Sequence, residues 1–323
     1  MMKTIGKLAT LALALTGIVH AADSKVSVDQ SLPTYQTVSG ITGNLNSVGS
    51  DTLNNLMTLW AEKFSAKYPS VKIGIEGKGS GTAPTALISG TSQLGPMSRP
   101  MKREEIDNFK KQFGYEPTEI KVAIDALAVF THKDNPVSGL SMKQIDGIFS
   151  STCKRGGSDL AQWDQLPGAE AWQGHNISMY GRNSASGTYG FFKEHALKKG
   201  DFKSSVKEQP GSSAVVQGVA SDINGIGYSG IGYVTSGVKA LPISKKEGAP
   251  AVAPSYDNCL NGSYPMARYL VIYINKKPNE APDALTKEFV KFVLSKEGQE
   301  VVVKDGYFPL PAKVEQEVMK SLE

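Results

Sequence analysis

The chain has 323 residues, with 35 lysines and arginines against 31 aspartates and glutamates, and a formal net charge of +4 at pH 7. A chain of this length usually forms about two domains. The nearly balanced charge, without a run rich in lysine and arginine, argues against nucleic acid as a partner, because such binding depends on a basic surface.

The N-terminus has the pattern of a cleaved secretory signal peptide, predicted over residues 1–21. Lys3 and Lys7 form its basic start, an apolar run covers residues 8–19, and Ala21 is the small residue at the expected cleavage point. This run is too short to span a bilayer, and no later window has the roughly 20 apolar residues that a transmembrane helix needs. We therefore expect an exported, soluble protein.

In the first part of the chain, strands alternate with helices. A strand in GNLNSVGS precedes an amphipathic helix, whose apolar residues follow the spacing i, i+3, i+4, i+7, i+11 from Leu53 to Phe64. Further elements are predicted as a strand over 71–76, a short helix after GKGSGT, a strand over 93–97, a helix over 104–113 and a long buried strand over 120–131.

The alternation restarts beyond Lys133. The predicted elements are a helix over 142–149, a strand over 177–181, helices over 188–199 and 213–222, strands over 225–229 and 267–275, and a helix opened by Pro282. This order is typical of an α/β fold with helices on the faces of parallel sheets. The long apolar strands near residues 125 and 270 are the natural crossings between two lobes.

Three turns between a strand and a helix share one chemistry. They read GSDT (49–52), GSGT (79–82) and SASGT (184–188). Each offers glycine for close backbone approach, a hydroxyl able to cap a helix, and a helix N-terminus with partial positive charge. A single turn of this kind is usually an ordinary cap, but three of them, one beside Arg182, indicate an anion site. A guanidinium adds a planar fork of donors that can bind two oxygens of a tetrahedral anion.

Over nearly its whole mature length the chain resembles the substrate-binding proteins of phosphate ABC transporters. The segments that carry the resemblance are SVGSDTLNNLMTLW, GKGSGTAPTAL, LGPMSRPM, GRNSASGTYGFF, NGIGYSGIGY and VVVKDGYFPLPAK. The resemblance implies the type II periplasmic-binding-protein fold, in which two lobes, each a mixed, mainly parallel sheet flanked by helices, are joined by two crossing hinge segments. The predicted lobes are residues 22–126 with 270–323, and residues 127–269.

The resemblance also implies a function. A member of this family binds inorganic phosphate in the cleft between its lobes and delivers it to a membrane permease, as a periplasmic monomer without catalytic activity or cofactor. The residues that match the family's site in this sequence are Ser50, Asp51, Thr52, Ser80, Ser98, Arg182, Ser186, Gly187 and Thr188. The match is most specific in the pattern Arg-x-x-x-Ser-Gly-Thr.

One position departs from the family. Better-known members have an acidic residue in the segment that here reads Met97-Ser98-Arg99, and its carboxylate accepts the proton of hydrogen phosphate. We hypothesise that Asp51 supplies the missing acceptor. A buried carboxylate pairs with the phosphate O–H, whereas sulfate has no such proton and meets an unsatisfied like charge. The alternative is that Asp51 caps the following helix and faces away from the ligand.

Other functions stay open from the residues alone. The same fold could bind sulfate, molybdate or a small organic phosphate, and the same cradle could serve a secreted phosphatase. A phosphatase would need an activated nucleophile or a metal pair, and neither is evident beside Ser50, Ser80 or Ser186. The run Gly225–Gly230 fits G-x-G-x-x-G but does not open a helix, so we interpret it as a strand and turn without nucleotide.

The remaining polar residues with possible chemistry are three histidines and two cysteines. His132, His175 and His195 have no paired ligand spacing, so no metal site is expected. Cys153 and Cys259 would be exported together to an oxidising compartment, where two cysteines are commonly bridged. A disulfide there would add about 4–5 kcal/mol on the chain-entropy estimate. The alternative is two buried free thiols.

Overall fold

The computed structural model describes residues 26–322, and the predicted signal peptide over residues 1–21 lies outside them. The helices are α1 (Asn54–Lys67), α2 (Ala83–Ile88), α3 (Arg103–Phe113), α4 (Met142–Phe149), α5 (Gly187–His195), α6 (Ser212–Ala220), α7 (Tyr256–Leu260), α8 (Ala284–Leu294), α9 (Lys296–Lys304) and α10 (Ala312–Lys320). The strands are β1 (Gly43–Val48), β2 (Val71–Glu76), β3 (Gly95–Met97), β4 (Thr118–His132), β5 (Leu140–Ser141), β6 (Ser178–Arg182), β7 (Lys207–Gln209), β8 (Gly225–Gly230), β9 (Val238–Ala240), β10 (Ile243–Ser244) and β11 (Ala267–Ile274). These elements confirm the predicted α/β class.

The largest sheet runs through the molecule. Its strands follow the order β3, β11, β4, β8, β6, β7, and β9 also pairs with β4. Two small parallel pairs, β1 with β2 and β5 with β10, accompany it. Every antiparallel pairing between the described strands involves β4 or β11, and the others are parallel. Parallel strands joined by helices build each lobe, and the two antiparallel strands pass between the lobes.

Strand β4 carries the chain from the first lobe, around β1–β3, to the second lobe, around β6–β8. Residues 118–126 of β4 pair with β11, whereas residues 127–131 pair with β8. Strand β11 returns antiparallel to β4 and pairs with β3 of the first lobe. The two predicted crossings are therefore these two paired strands. The exact lobe boundaries remain predictions.

The first lobe is held by helix α1. The apolar residues that predicted this helix, from Leu53 to Phe64, are fully buried. The indole N–H of Trp60 donates to the backbone carbonyl of Gly298 in α9 at 2.8 Å. Helix α1 therefore joins the N-terminal and C-terminal parts of the lobe, and its start fixes the turn that follows β1.

The second lobe has an aromatic core beneath helix α5. The rings of Phe192 and Tyr228 stack with their centroids 3.9 Å apart, and Phe149 packs edge-on at 5.1 Å from Phe192. The hydroxyl of Tyr228 accepts a hydrogen bond from the backbone N–H of Arg182 at 3.2 Å. The core thus fixes both the end of β6 and the start of α5.

Several element ends differ from the sequence expectations by one or two residues, and two helix ends have a clear local cause. The helix predicted over 188–199 ends at His195, because Lys198 and Lys199 have φ values of 48° and 59°, which a helix cannot continue. Helix α8 begins after Asp283, whose carboxylate caps it by accepting from the backbone N–H of Thr286 at 2.9 Å. Pro282 therefore lies before the cap and not in the first turn.

The expected disulfide is wrong, since both cysteines are free. Cys153 lies in the turn after α4, where its Sγ is 3.7 Å from the backbone oxygen of Ser150. Cys259 lies in helix α7, in the main core, and burial raises the pKa of its thiol to about 12. Separation along the chain sets the loop entropy of a disulfide but not the distance between two thiols, and these two cysteines lie in different parts of the fold.

Candidate functional site

The three predicted turns meet at one place between the lobes. In the first lobe, Ser50 follows β1, Ser80 follows β2 and Ser98 follows β3, so the three serines come from the carboxyl ends of neighbouring strands. The Ser50 hydroxyl donates to Ser98 Oγ at 3.0 Å, and Ser80 Oγ is 3.3 Å from Ser98 Oγ. All three side chains are buried. They form a compact group of hydroxyls that can donate to an anion.

The second lobe contributes the N-terminus of α5. Ser186 is its N-cap, and its hydroxyl oxygen accepts from the backbone N–H of Thr188 at 3.1 Å and of Tyr189 at 3.3 Å. The next residue, Gly187, faces the first-lobe serines so closely that a Cβ there would stand 2.2 Å from Ser80 Oγ. The helix start and its partial positive charge therefore point at the serine group.

Arg182 is a buried cation at this junction. It ends β6 and is 1% exposed. Its Nη1 donates to Ser212 Oγ at 2.7 Å, and its Nη2 lies 3.2 Å from Asp51 Oδ2. Within residues 26–322, its buried Nε has no hydrogen-bond partner. Burial lowers the pKa of the guanidinium and the nearby Asp51 carboxylate opposes that shift. A buried cation with an unused donor indicates a place for an anion.

Asp51 reaches across to the second lobe. Its Oδ2 contacts Arg182 and also accepts from the backbone N–H of Ser212, the first residue of α6, at 2.8 Å. No hydrogen bond to Oδ1 occurs within the described residues. The Tyr233 hydroxyl donates to the Asp51 backbone carbonyl at 3.0 Å. The alternative interpretation, in which Asp51 caps its own helix, is therefore wrong. The Asp51 carboxylate instead accepts from the first backbone N–H of a helix in the opposite lobe.

Other contacts also join the lobes at the site. Thr52 Oγ1 and Thr188 Oγ1 are 2.8 Å apart, and the backbone N–H of Gly81 donates to the Ala185 carbonyl at 3.0 Å. The cleft is therefore closed in this structure. All nine sequence-predicted residues lie at or beside the junction, although Ser98 is held by its neighbours and Ser186 already serves as a cap.

Sequence reasoning missed three polar residues at the junction. Ser212 binds Arg182, while Arg268 and Asp125 form a buried ion pair on β11 and β4 with a shortest N–O distance of 2.7 Å. A signal for the pair was present, because Arg268 is the one charged residue of β11 and Asp125 interrupts the apolar run over 122–130 of β4. A charge in such a strand is rarely buried without a partner.

Neither a metal-ligand cluster nor a membrane-spanning helix occurs within residues 26–322. No group of three or more His, Cys, Asp or Glu residues in this part of the chain could hold a metal ion. In the same residues, no helix is both long and apolar enough to cross a membrane.

Residues 30–297 match the model of the PBP superfamily domain. The chain is 54% identical over 320 residues to phosphate-binding protein PstS of Pseudomonas aeruginosa, covering 98% of this chain and 99% of the relative. It is 30% identical over 291 residues to protein SphX of Synechococcus elongatus, covering 89% and 83%.

Solved structures give the same fold. A structure from Clostridium perfringens, described as a phosphate ABC transporter substrate-binding protein with bound phosphate, is 29% identical, with a TM-score of 0.69 over 83% of this chain and 100% of that one. A phosphate transport receptor of Vibrio cholerae has a TM-score of 0.64 at 24% identity, over 83% and 100%, and supports the fold alone.

Proposed function

The chain belongs to the PBP superfamily, with the type II two-lobed fold, and on this premise we propose that it binds inorganic phosphate between its lobes and delivers it to an ABC-transporter permease. The role is binding and not catalysis. The signal-peptide pattern supports a periplasmic location, with the mature chain acting as a monomer that docks on the permease in its closed form.

The observation that carries the proposal is the environment of Arg182. This guanidinium is 1% exposed, its Nε has no hydrogen-bond partner within residues 26–322, and it contacts Asp51, which stands between Ser50 and Thr52 in the first lobe. Phosphate offers four oxygens in a tetrahedron, and each can accept from a different group of donors. Bidentate donors and helix N-termini are the groups that proteins use for this anion.

We assign the selectivity for phosphate over sulfate to Asp51. Its Oδ2 is engaged by Arg182 and Ser212, and its Oδ1 is available as an acceptor for the proton of hydrogen phosphate. Sulfate at neutral pH has no proton to donate and would meet the carboxylate as a like charge.

Anion titration tests the proposed function directly. We expect the purified mature chain to bind phosphate tightly in calorimetry and to unfold at a higher temperature in its presence, because a ligand that binds only the folded state stabilises it. Sulfate, molybdate and phosphate monoesters are the comparison ligands. A stronger response to sulfate or molybdate than to phosphate would reassign the site to another oxyanion. Turnover of a phosphate ester that is lost in an Arg182 variant would instead reassign the protein to the phosphatases.

The close approach of Gly187 to Ser80 and Ser98 gives a second prediction. In Gly187→Ala the new methyl would stand 2.2 Å from Ser80 Oγ and 2.6 Å from Ser98 Oγ, so the lobes cannot close fully. We expect phosphate affinity to fall about 30-fold, in line with the usual free-energy cost of overpacking. Calorimetry measures the change.

The matched control for Gly187→Ala is Gly190→Ala, one turn further along α5. There the added Cβ would meet only the Arg99 side chain, at 3.3 Å from its Cδ, a contact that a shift of a few tenths of an ångström relieves. Its phosphate affinity should equal that of the wild type. Equal losses in the two variants would contradict the steric explanation.

A further inference from the structure

The ion pair of Arg268 and Asp125 lies where the two crossing strands pair. The two residues are direct partners in the β4–β11 register. Arg268 Nε and Nη2 donate to Asp125 Oδ2 at 2.9 and 2.7 Å, and the side chains are 2% and 0% exposed. Apolar residues of similar size would serve a purely structural crossing equally well, since burying an ion pair carries a large desolvation cost.

The pair is bonded to both lobes at once. Arg268 Nη1 donates to the backbone carbonyl of Ser98 in the first lobe at 2.7 Å. Arg268 Nη2 donates to Thr188 Oγ1 in the second lobe at 3.0 Å. The other carboxylate oxygen of Asp125 accepts from the backbone N–H of Ile231 at 3.0 Å. The hinge strands are therefore in direct contact with two of the predicted phosphate ligands.

The contact with Thr188 has a directional consequence. A guanidinium has donors and no acceptor, so Thr188 Oγ1 must accept from Arg268. The hydrogen of this hydroxyl then points away from Arg268, and either hydroxyl can be the donor in the 2.8 Å contact between Thr188 Oγ1 and Thr52 Oγ1. An anion needs donors, and the contact presents Thr188 as one.

We propose that Arg268, paired with Asp125, is a positioning residue that holds Ser98 and orients the Thr188 hydroxyl towards the bound anion as the lobes close. This inference rests on the proposed phosphate binding. The charge of Asp125 offsets that of Arg268, so Arg268 does not add a second free positive charge to the site. Arg268 contributes to anion binding by fixing the geometry of the site.

The test is a double-mutant cycle of phosphate affinity on the mature chain, using Arg268→Met, Thr188→Val and both together. Arg268→Met should bind phosphate about 100-fold more weakly, since it loses charge-assisted hydrogen bonds to two segments of the site. If Arg268 acts through Thr188, the two substitutions are not independent. The fold-loss of phosphate affinity in the double variant is then at least about threefold smaller than the product of the fold-losses in the two single variants. Multiplicative losses would overturn the proposal.

Arg268→Lys covers the case in which the methionine variant does not fold. An ammonium keeps the charge but cannot reproduce the guanidinium fork, so we expect about tenfold weaker binding. An affinity within twofold of wild type in this variant overturns the positioning role, whereas no phosphate binding by the wild type overturns the proposed function itself.

A stability control separates positioning from general destabilisation. Glu288→Gln removes a buried charge of α8, whose partners are Tyr35 and Lys291, away from the site. It should lower the unfolding temperature and leave phosphate affinity unchanged. An equal loss of affinity in this variant would attribute the Arg268 effect to lost stability and overturn the proposal.

Discussion

Arg182→Met is expected to reduce phosphate affinity about 100- to 4000-fold, the largest single effect in the site. Removing one partner from a buried charge interaction costs roughly 3–5 kcal/mol, and 1.4 kcal/mol corresponds to a factor of ten. The variant also leaves the Asp51 carboxylate facing the ligand without its cation. Methionine is similar in length and apolar, so it fills the space without a new polar group. Calorimetric titration of the folded variant measures the loss.

Two further variants sharpen this prediction. Arg182→Lys retains the charge but not the fork that reaches Ser212 and Asp51 together, and we expect an intermediate loss of about 10- to 100-fold. Arg103→Met removes an exposed arginine of α3 and should leave affinity unchanged. Near-wild-type binding by Arg182→Met would contradict the assignment of Arg182 as the fixed charge.

The fold could be predicted from sequence wherever a periodic pattern was long and uninterrupted. The spacing from Leu53 to Phe64 gave α1, and the apolar run over 120–131 gave β4. Helix α9 was not predicted, because a single residue, Ser295, separates it from α8. That serine ends one helix and caps the next with its hydroxyl, so the apolar pattern hardly breaks.

Only the residues of the site that lie within one short sequence motif could be predicted. Gly187 and Arg182 lie in a recognisable turn, and the structure brings that turn to the serines of the first lobe. The contacts of Arg268 and of Ser212 depend on how distant segments pack, and no local pattern encodes such packing. The disulfide was wrong for the same reason, because separation in sequence does not give a distance between two thiols.

Asp51→Asn is expected to lower phosphate affinity about tenfold and to reduce the preference for phosphate over sulfate about 100-fold. The amide is neutral, so it weakens the contact with Arg182, and it removes the negative charge that opposes sulfate. The amide oxygen would take the position that faces the donors Arg182 and Ser212, which leaves the NH2 group towards the phosphate O–H. Phosphate then loses an acceptor for its proton, while sulfate loses a repulsion. The ratio of the two dissociation constants at pH 7 is the quantity to measure.

Asp305→Asn is the matched control, because Asp305 lines the same groove at the mouth of the cleft as Asp51 but does not contact Arg182. Burial raises the pKa of Asp305 to about 6, and its partner is Asn55, so this acid belongs to the rim of the groove. If selectivity comes from a specific acceptor, only the Asp51 variant changes the ratio. A similar change in both variants would mean that the overall negative charge of the cleft excludes sulfate. An unchanged ratio in Asp51→Asn, together with weaker binding of both anions, would mean that Asp51 serves only to join the lobes through Arg182 and Ser212.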